Sequence, residues 1–305
     1  MELSQLRALR ELRDRGSIAA VAKAMHVTPS SVSQQLSALQ RKAGAQLTQL
    51  DGRRTVLTKA GLALAEAAVG VETALARAHA AMDTFNQEPS PITVSAFHSA
   101  ALIFGPSLVR QRPGSTPSVR MSDEDVPTEA FPPLTMRYDL VIAHRMAGSA
   151  PWPSTIKVTP LLSEPMDVAF RIGHRLDGLP ALTTADVAGE SWIAVHEGFP
   201  LEVAVRRAAG ASGEDANIVH RINDFGVAAA MVTASNHLAL LPRYMTGTTP
   251  GLRLAAFNSD LGFSLSRRVD VLCRPETLEK PGVRDVLDVL RKIGADLSGG
   301  RHRHA

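Results

Sequence analysis

The most constraining stretch of the chain is Ser17 to Gln40, SIAAVAKAMHVTPSSVSQQLSALQ. It reads as two short helices joined by a tight turn. Ile18 to Met25 is rich in alanine and can pack close to a neighbour, and His26 and Val27 make the turn. Thr28 is a good N-cap, and Pro29 suits the first helical position, where its missing N–H costs nothing. Val32, Leu36 and Leu39 then recur at i, i+4 and i+7 as a buried stripe. The opposite face carries Ser30, Ser33, Gln34 and Ser37, short, polar and uncharged. Such a face suits the floor of the DNA major groove, where base edges present mixed donors and acceptors. The pattern is that of a helix-turn-helix with the second helix, Pro29 to about Lys42, as the reading helix. The plainer alternative is an αα-hairpin within a helical bundle.

Charge distribution separates these readings. The whole chain of 305 residues carries a net charge of only +3. Residues 1–60 hold ten Lys/Arg (Arg7, Arg10, Arg13, Arg15, Lys23, Arg41, Lys42, Arg53, Arg54, Lys59) against four acids (Glu2, Glu11, Asp14, Asp51), a net of +6. The remainder is therefore at −3. A basic module on a mildly acidic body points to a phosphate-binding part joined to a part that binds something else. The single cysteine, Cys273, cannot form an intramolecular disulfide and reads as a small buried hydrophobe in a reducing, cytoplasmic setting. The charged N-terminus is unlike a signal peptide, and no uncharged apolar run reaches membrane-span length, so no membrane partner is expected.

Leu3, Leu6, Leu9 and Leu12 line one face of a first helix that Gly16 ends, with Arg7, Arg10, Arg13 and Arg15 on a solvated face. Leu47 to Thr58 reads as a β-hairpin turning at Asp51-Gly52. A hairpin in that place is a wing, and Arg53 and Arg54 beside its tip are placed to meet the DNA backbone. Thr58 caps a long helix from Lys59 to about Gln87. Along it Leu64, Ala68, Val71, Leu75, Ala78, Met82 and Phe85 alternate at spacings of 4 and 3, the seam of a two-helix coiled coil. Residues 1–58 thus form a DNA-binding domain and residues 59–88 a dimerisation helix. Glu88-Pro89-Ser90-Pro91 marks a boundary. Beyond it, short apolar strands (ITVSA, YDLVIA, MDVAFR, LALLP) alternate with helices, which predicts parallel α/β layers in two units. The expected first unit is about 91–162 with 268–297, the second about 163–267, with a disordered tail at 298–305. A cleft between two such units, beyond the strand C-termini, is where ligands bind.

The full pattern resembles the LysR-type transcriptional regulators. The resemblance is carried by LRALRELRDRGSIAAVAKAMHVTPSSVSQQLSALQRKAG and GRRTVLTKAG, then by ITVSA, DLVIAH, SEPMDVAFRIGHRL and LALLPRYM in order. It implies an α+β multidomain chain: an N-terminal winged helix-turn-helix, a long linker helix, and a C-terminal α/β effector domain of two periplasmic-binding-protein-like subdomains. It also implies a homodimer or homotetramer on paired half-sites of double-stranded DNA, with RNA polymerase as a further candidate partner. The DNA contacts then fall on Thr28, Pro29, Ser30, Ser33 and Gln34, with Ser37, Arg53 and Arg54 added from the polar face and wing. The effector site falls on Phe97, His98, Ser99, Ser122, Asp123, His144, His196, Glu197, Phe199 and Phe225, led by Ser99, whose hydroxyl beside a helix N-terminus suits an anion. Two places depart from the family pattern. Thr48 and Leu50 stand in the wing where a large apolar residue and an arginine are usual. Ser235-Asn236 replaces a glycine-rich turn, where Asn236 can take the left-handed conformation.

Three other functions fit less well. For an enzyme, the chain has no G-x-S-x-G, H-E-x-x-H or P-loop. For a metal sensor, His98, His144 and His196 all fall on predicted cleft loops, yet none sits in a tight ligand spacing, so neither metal nor cofactor is expected. For a ligand-blind architectural protein, a cleft-forming body has no role. With 4% aromatic residues, the expected effector is small and polar or anionic.

Overall fold

A computed structural model of the chain describes all residues except 53, 84, 86–89, 112–116, 210–215, 247–248, 258–264 and 300–305. The expected contact at Arg53, the end of the linker helix and most of the tail lie outside the described residues.

Helices α1 (Leu3–Arg15), α2 (Ile18–Met25) and α3 (Pro29–Ala43) pack around Leu9, Leu12, Val21, Val32, Leu36 and Leu39. Local chemistry sets their ends. The Ser17 hydroxyl accepts from the Ala20 N–H and the Thr28 hydroxyl from the Ser31 N–H, each at 3.2 Å. His26 ends α2 at φ 54, the only left-handed non-glycine among the described residues. This tight left-handed turn swings α3 across α2. Strands β1 (Thr48–Asp51) and β2 (Arg54–Leu57) pair antiparallel as the wing, turning at Gly52 with φ 60. Thr48 proves structural: its N–H, its hydroxyl and the Leu47 N–H all donate to Gln40 Oε1, at 3.0, 3.2 and 2.9 Å. The wing root is thereby tied to α3 without a large apolar residue.

Helix α4 (Lys59–Asp83) leaves the wing at Thr58, which caps it by accepting from the Gly61 N–H. Its buried face does not follow the expected seam. Ala65 and Ala68 are buried against the head and Leu64 packs beside them, so Leu64 and Ala68 serve their own chain. Val71, Met82 and Phe85 are exposed, Ala78 is exposed, and Leu75 is half-buried.

Of the α1 arginines only Arg7 remains exposed; Arg10, Arg13 and Arg15 are drawn into the packing. Arg10 is wholly buried and pairs with Glu72 of α4 and, at 2.9 and 3.0 Å, with Glu276 from the body. Arg7 joins Glu72, Arg13 joins Asp14 and Glu66, and Arg15 joins Glu11. Much of the head's positive charge is spent at this junction, because carboxylates distant in sequence converge on it.

In the body, β3 (Ile92–Ala96) lies parallel to both β4 (Val119–Asp123) and β5 (Leu140–Met146). They are backed by α5 (His98–Gln111), the short α6 (Phe131–Leu134) and α10 (Val283–Ser298) around Phe104, Phe131, Ile142, Val271 and Leu290. A second set repeats the scheme: β8 (Ser191–Ala194) lies parallel to β9 (Asn217–Arg221) and β10 (Leu238–Pro242), with α7 (Pro200–Ala209) and α8 (Phe225–Thr233). Its core holds Phe170, Leu176, Trp192, Val205 and Leu240. Two long antiparallel strands join the sets, β6 (Lys157–Arg171) and β12 (Ser266–Cys273). MDVAFR, read from the sequence as a strand of its own, is the end of the longer β6, because one unbroken strand can pair with β12 at one end and β10 at the other. The short β7 (Ala181–Leu182), α9 (Arg243–Thr246) and β11 (Leu252–Phe257) complete the second set. The Ser235-Asn236 turn needs no left-handed residue: the Ser235 hydroxyl donates to the Met231 carbonyl and accepts from the His237 N–H. Among the described residues no helix is long and apolar enough to cross a membrane.

Candidate functional site

Two regions carry chemistry. The first is the outer face of α3, where Thr28, Pro29, Ser30, Ser33, Gln34 and Ser37 are all exposed while Val32, Leu36 and Leu39 are buried. The Ser33 hydroxyl donates to the Pro29 carbonyl at 3.0 Å, a bond it can exchange for one to a base edge. Arg54 is exposed on the wing, and Arg41 and Lys23 are exposed nearby.

The second is a cavity of about 310 Å³ between the two α/β sets. That size is at the lower end of small-molecule sites. It gathers Phe97, His98, Ser99, Asp123 and His144 from one set, and Phe199 and Phe225 from the other, as the sequence predicted. Ser122, His196 and Glu197 do not line it. Ser122 is held inside β4 opposite Ser95. His196 is exposed and meets Asn223 only through its backbone N–H. Glu197 is exposed and drawn outward by Arg221 at 2.8 Å. His98 and Ser99 sit in the first turn of α5, not in a loop.

Sequence reading missed Asp125, Asp224 and Arg267. Asp224 was visible as an N-cap, since its carboxylate accepts from the Val227 N–H at 2.8 Å. Asp125 was visible only as part of an acidic run, and nothing local marks Arg267, which reaches the cavity from the returning strand β12.

Arg267 lies on the cavity floor, with its guanidinium 5.0 Å from the Phe97 ring centre and 5.6 Å from that of Phe225. Its charge is already matched. Glu164, directly opposite on β6, accepts from Nε at 2.9 Å and from Nη2 at 2.6 Å, and both side chains are buried. Nη2 also donates to the Ser99 hydroxyl at 3.0 Å. His144 stacks edge-on with Phe97 at 4.6 Å between ring centres. Burial, reinforced by the Arg267 charge, pushes its imidazole down to about 3, so it is neutral and behaves as part of the apolar wall.

The mouth is acidic. His98 Nδ1 lies 3.0 Å from Asp123 Oδ2, and its Nε2 lies 3.2 Å from Asp224 Oδ2. Asp123 ends β4 and Asp224 caps α8, so one imidazole spans the two sets. The hydrogen bond to the Asp123 carboxylate raises the His98 pKa, against a smaller opposing effect of burial. Asp125 keeps solvent contact, yet partial burial and then the Asp123 charge raise its pKa. Three carboxylates, Asp123, Asp125 and Asp224, line the cavity, and Arg267, the one arginine among its lining residues, is paired with Glu164. The three histidines do not converge, and among the described residues no group of three or more metal-ligating side chains forms.

Comparison with known families matches residues 3–62 to the bacterial regulatory helix-turn-helix protein, lysR family, and residues 86–295 to the LysR substrate binding domain. Comparison with curated protein sequences finds no relative. Among solved structures, the chain is similar to a full-length cysteine variant of OxyR from Pseudomonas aeruginosa, with TM-score 0.58 and 18% identity over 95% of each chain. It is also similar to a cysteine variant of Corynebacterium glutamicum OxyR bound to H2O2, with TM-score 0.55 and 20% identity over 100% of this chain and 97% of that one. CbnR in complex with its target DNA gives TM-score 0.51 at 20% identity, over 96% of this chain and 100% of that one. At these identities the likeness is one of fold.

Proposed function

The chain belongs to the LysR family of DNA-binding transcriptional regulators, and on that footing we propose that it reads paired half-sites of double-stranded DNA as a homodimer or homotetramer, switched by a small molecule in the cavity between its two α/β sets. The observation that carries this reading is the union, in one chain, of an exposed, uncharged polar helix face with a cavity whose walls come from two separate α/β sets. Ser30, Ser33, Gln34 and Ser37 read base edges, while Arg54, Arg41 and Lys23 meet phosphates. The exposed Val71, Ala78 and Met82 of α4 offer an apolar stripe to a second copy, in the cytoplasm where the DNA is. RNA polymerase is a further partner of a regulator so placed.

A catalytic role finds little support. The Ser99 hydroxyl is engaged by a guanidinium, which cannot act as its base, and the His144 imidazole is neutral. A thiol-based peroxide response has no foothold either: Cys273 is buried in β12 and burial pushes its thiol up to about 11.

The test is binding to DNA upstream of the chain's own gene across a salt series. Ser33→Ala with Gln34→Ala is expected to weaken specific binding by about tenfold or more, with non-specific binding nearly unchanged, since each lost base contact is worth ~1–3 kcal/mol. Equal losses on specific and random DNA would reject α3 as the reading helix.

A further inference from the structure

We infer that the ligand of the cleft is a small amine: a protonated ammonium head held by Asp123, Asp125 and Asp224 at the mouth, on an apolar, ring-sized body packed against Phe97, Met166 and Phe225. This deepens the reading of the cavity as the effector site and rests on it.

Charge decides the head group. Three carboxylates line the cavity, and only two cationic side chains accompany them. Arg267 is committed to Glu164 and Ser99, so it offers no free fork to an anion. His98 remains, and one imidazolium against three carboxylates leaves an excess of negative charge. A carboxylate or phosphate head would enter this field without a counter-ion, whereas an ammonium is drawn into it.

Geometry supports the same choice. The slot between Asp123 and Asp224 already holds the His98 ring, with Nδ1 3.0 Å from Asp123 and Nε2 3.2 Å from Asp224. An imidazolium has two donors and an ammonium three. A ligand ammonium can therefore take the place of His98 and engage Asp125 as well. Behind the slot the lining turns apolar, with Phe97, Phe225, Met146, Met166, Val195 and the neutral His144 ring. That wall suits a hydrocarbon or aromatic body and gives no partner to a strongly polar one.

The placement also explains how binding is read out. Asp123 belongs to one α/β set and Asp224 to the other, so a single ammonium links both. The ligand binds the closed arrangement better than the open one because only the closed arrangement supplies both carboxylates.

The experiment titrates the full-length protein near neutral pH with three bodies (phenylethyl, indolylethyl and hexyl), each carrying an ammonium, a hydroxyl or a carboxylate, by calorimetry. For at least one body the amine is expected to bind about tenfold more tightly than its alcohol and its carboxylate, as two half-exposed ion pairs allow. Asp123→Asn with Asp224→Asn should remove that advantage and leave the alcohol unchanged; asparagine keeps the cap on α8, so the fold is retained. The amine assignment is overturned if a carboxylate binds most tightly, if no amine binds, or if amine binding ignores the double substitution. Thr128→Trp, which plugs the cavity, separates the two levels. A carboxylate or alcohol whose binding is lost in that variant leaves the effector cleft standing and refutes the amine alone. If no compound binds, or none responds to the plug, both readings fall.

Discussion

Replacing Arg10 with methionine removes the guanidinium that joins the DNA-reading head to the body. Arg10 is wholly buried and bonds Glu72 and Glu276. Breaking a buried ion pair from one side costs about 3–5 kcal/mol, because the carboxylate left behind stays desolvated. Here the loss is moderated, since Glu72 keeps Arg7 at 2.9 Å and Glu276 keeps Arg274 at 3.1 Å. Two carboxylates each losing one of their cations gives an expected cost of about 2–3 kcal/mol. Burial alone would raise the Glu72 pKa, but the Arg7 hydrogen bond and the Arg10 charge overcome it and hold it below the ordinary 4.5. A depressed carboxylate contributes stability above its unfolded value that is lost as pH falls through the folded value. The penalty of Arg10→Met should therefore be full at neutral pH and shrink below about pH 4.5. Urea unfolding followed by circular dichroism measures it, with Glu276→Gln as the second arm of a double-mutant cycle. A cost under about 1 kcal/mol at neutral pH, or costs that simply add in the double variant, would show that the cluster does not bind head to body.

Two further outcomes follow from close contacts. A Cβ at Gly61 would lie 2.0 Å from the Leu47 carbonyl oxygen, which is backbone and cannot swing away, so Gly61→Ala should cost about 1–3 kcal/mol in thermal stability; an unchanged melting temperature would refute the close approach of α4 to the wing root. The His98 imidazole should titrate above 6.5 by NMR, its clasp on Asp123 and Asp224 intact below that pH and released as pH rises through the raised value; with Asp125 and Arg267 the other charges facing it, Asp123→Asn should bring the midpoint down, and a wild-type midpoint at or below 6.5 would refute the clasp.

What the sequence made legible was what short-range chemistry controls. Val32, Leu36 and Leu39, with Thr28-Pro29 before them, specify α3 and its buried side because cap and period agree. Phe97, Asp123, His144 and Phe225, placed on the effector site by the family resemblance, do line one cavity, because residues just past the ends of parallel strands share a cleft. The residues that set the cleft's charge were not legible in the same way. Arg267 was hidden because its meaning depends on Glu164, more than a hundred positions away and opposed to it only once β6 and β12 pair. Arg10 was misread for the same reason: on a lone helix an arginine belongs in water, and only Glu72 and Glu276 make its burial tolerable. Periodicity reports which face of an element is apolar, but not whether a charge on the other face will meet its opposite. Such pairings bury Arg10 at the junction of head and body and commit Arg267 to Glu164 in the cavity lining. The composition of a site can thus be read from strand ends, whereas its sign must be read from which of its charges are already paired.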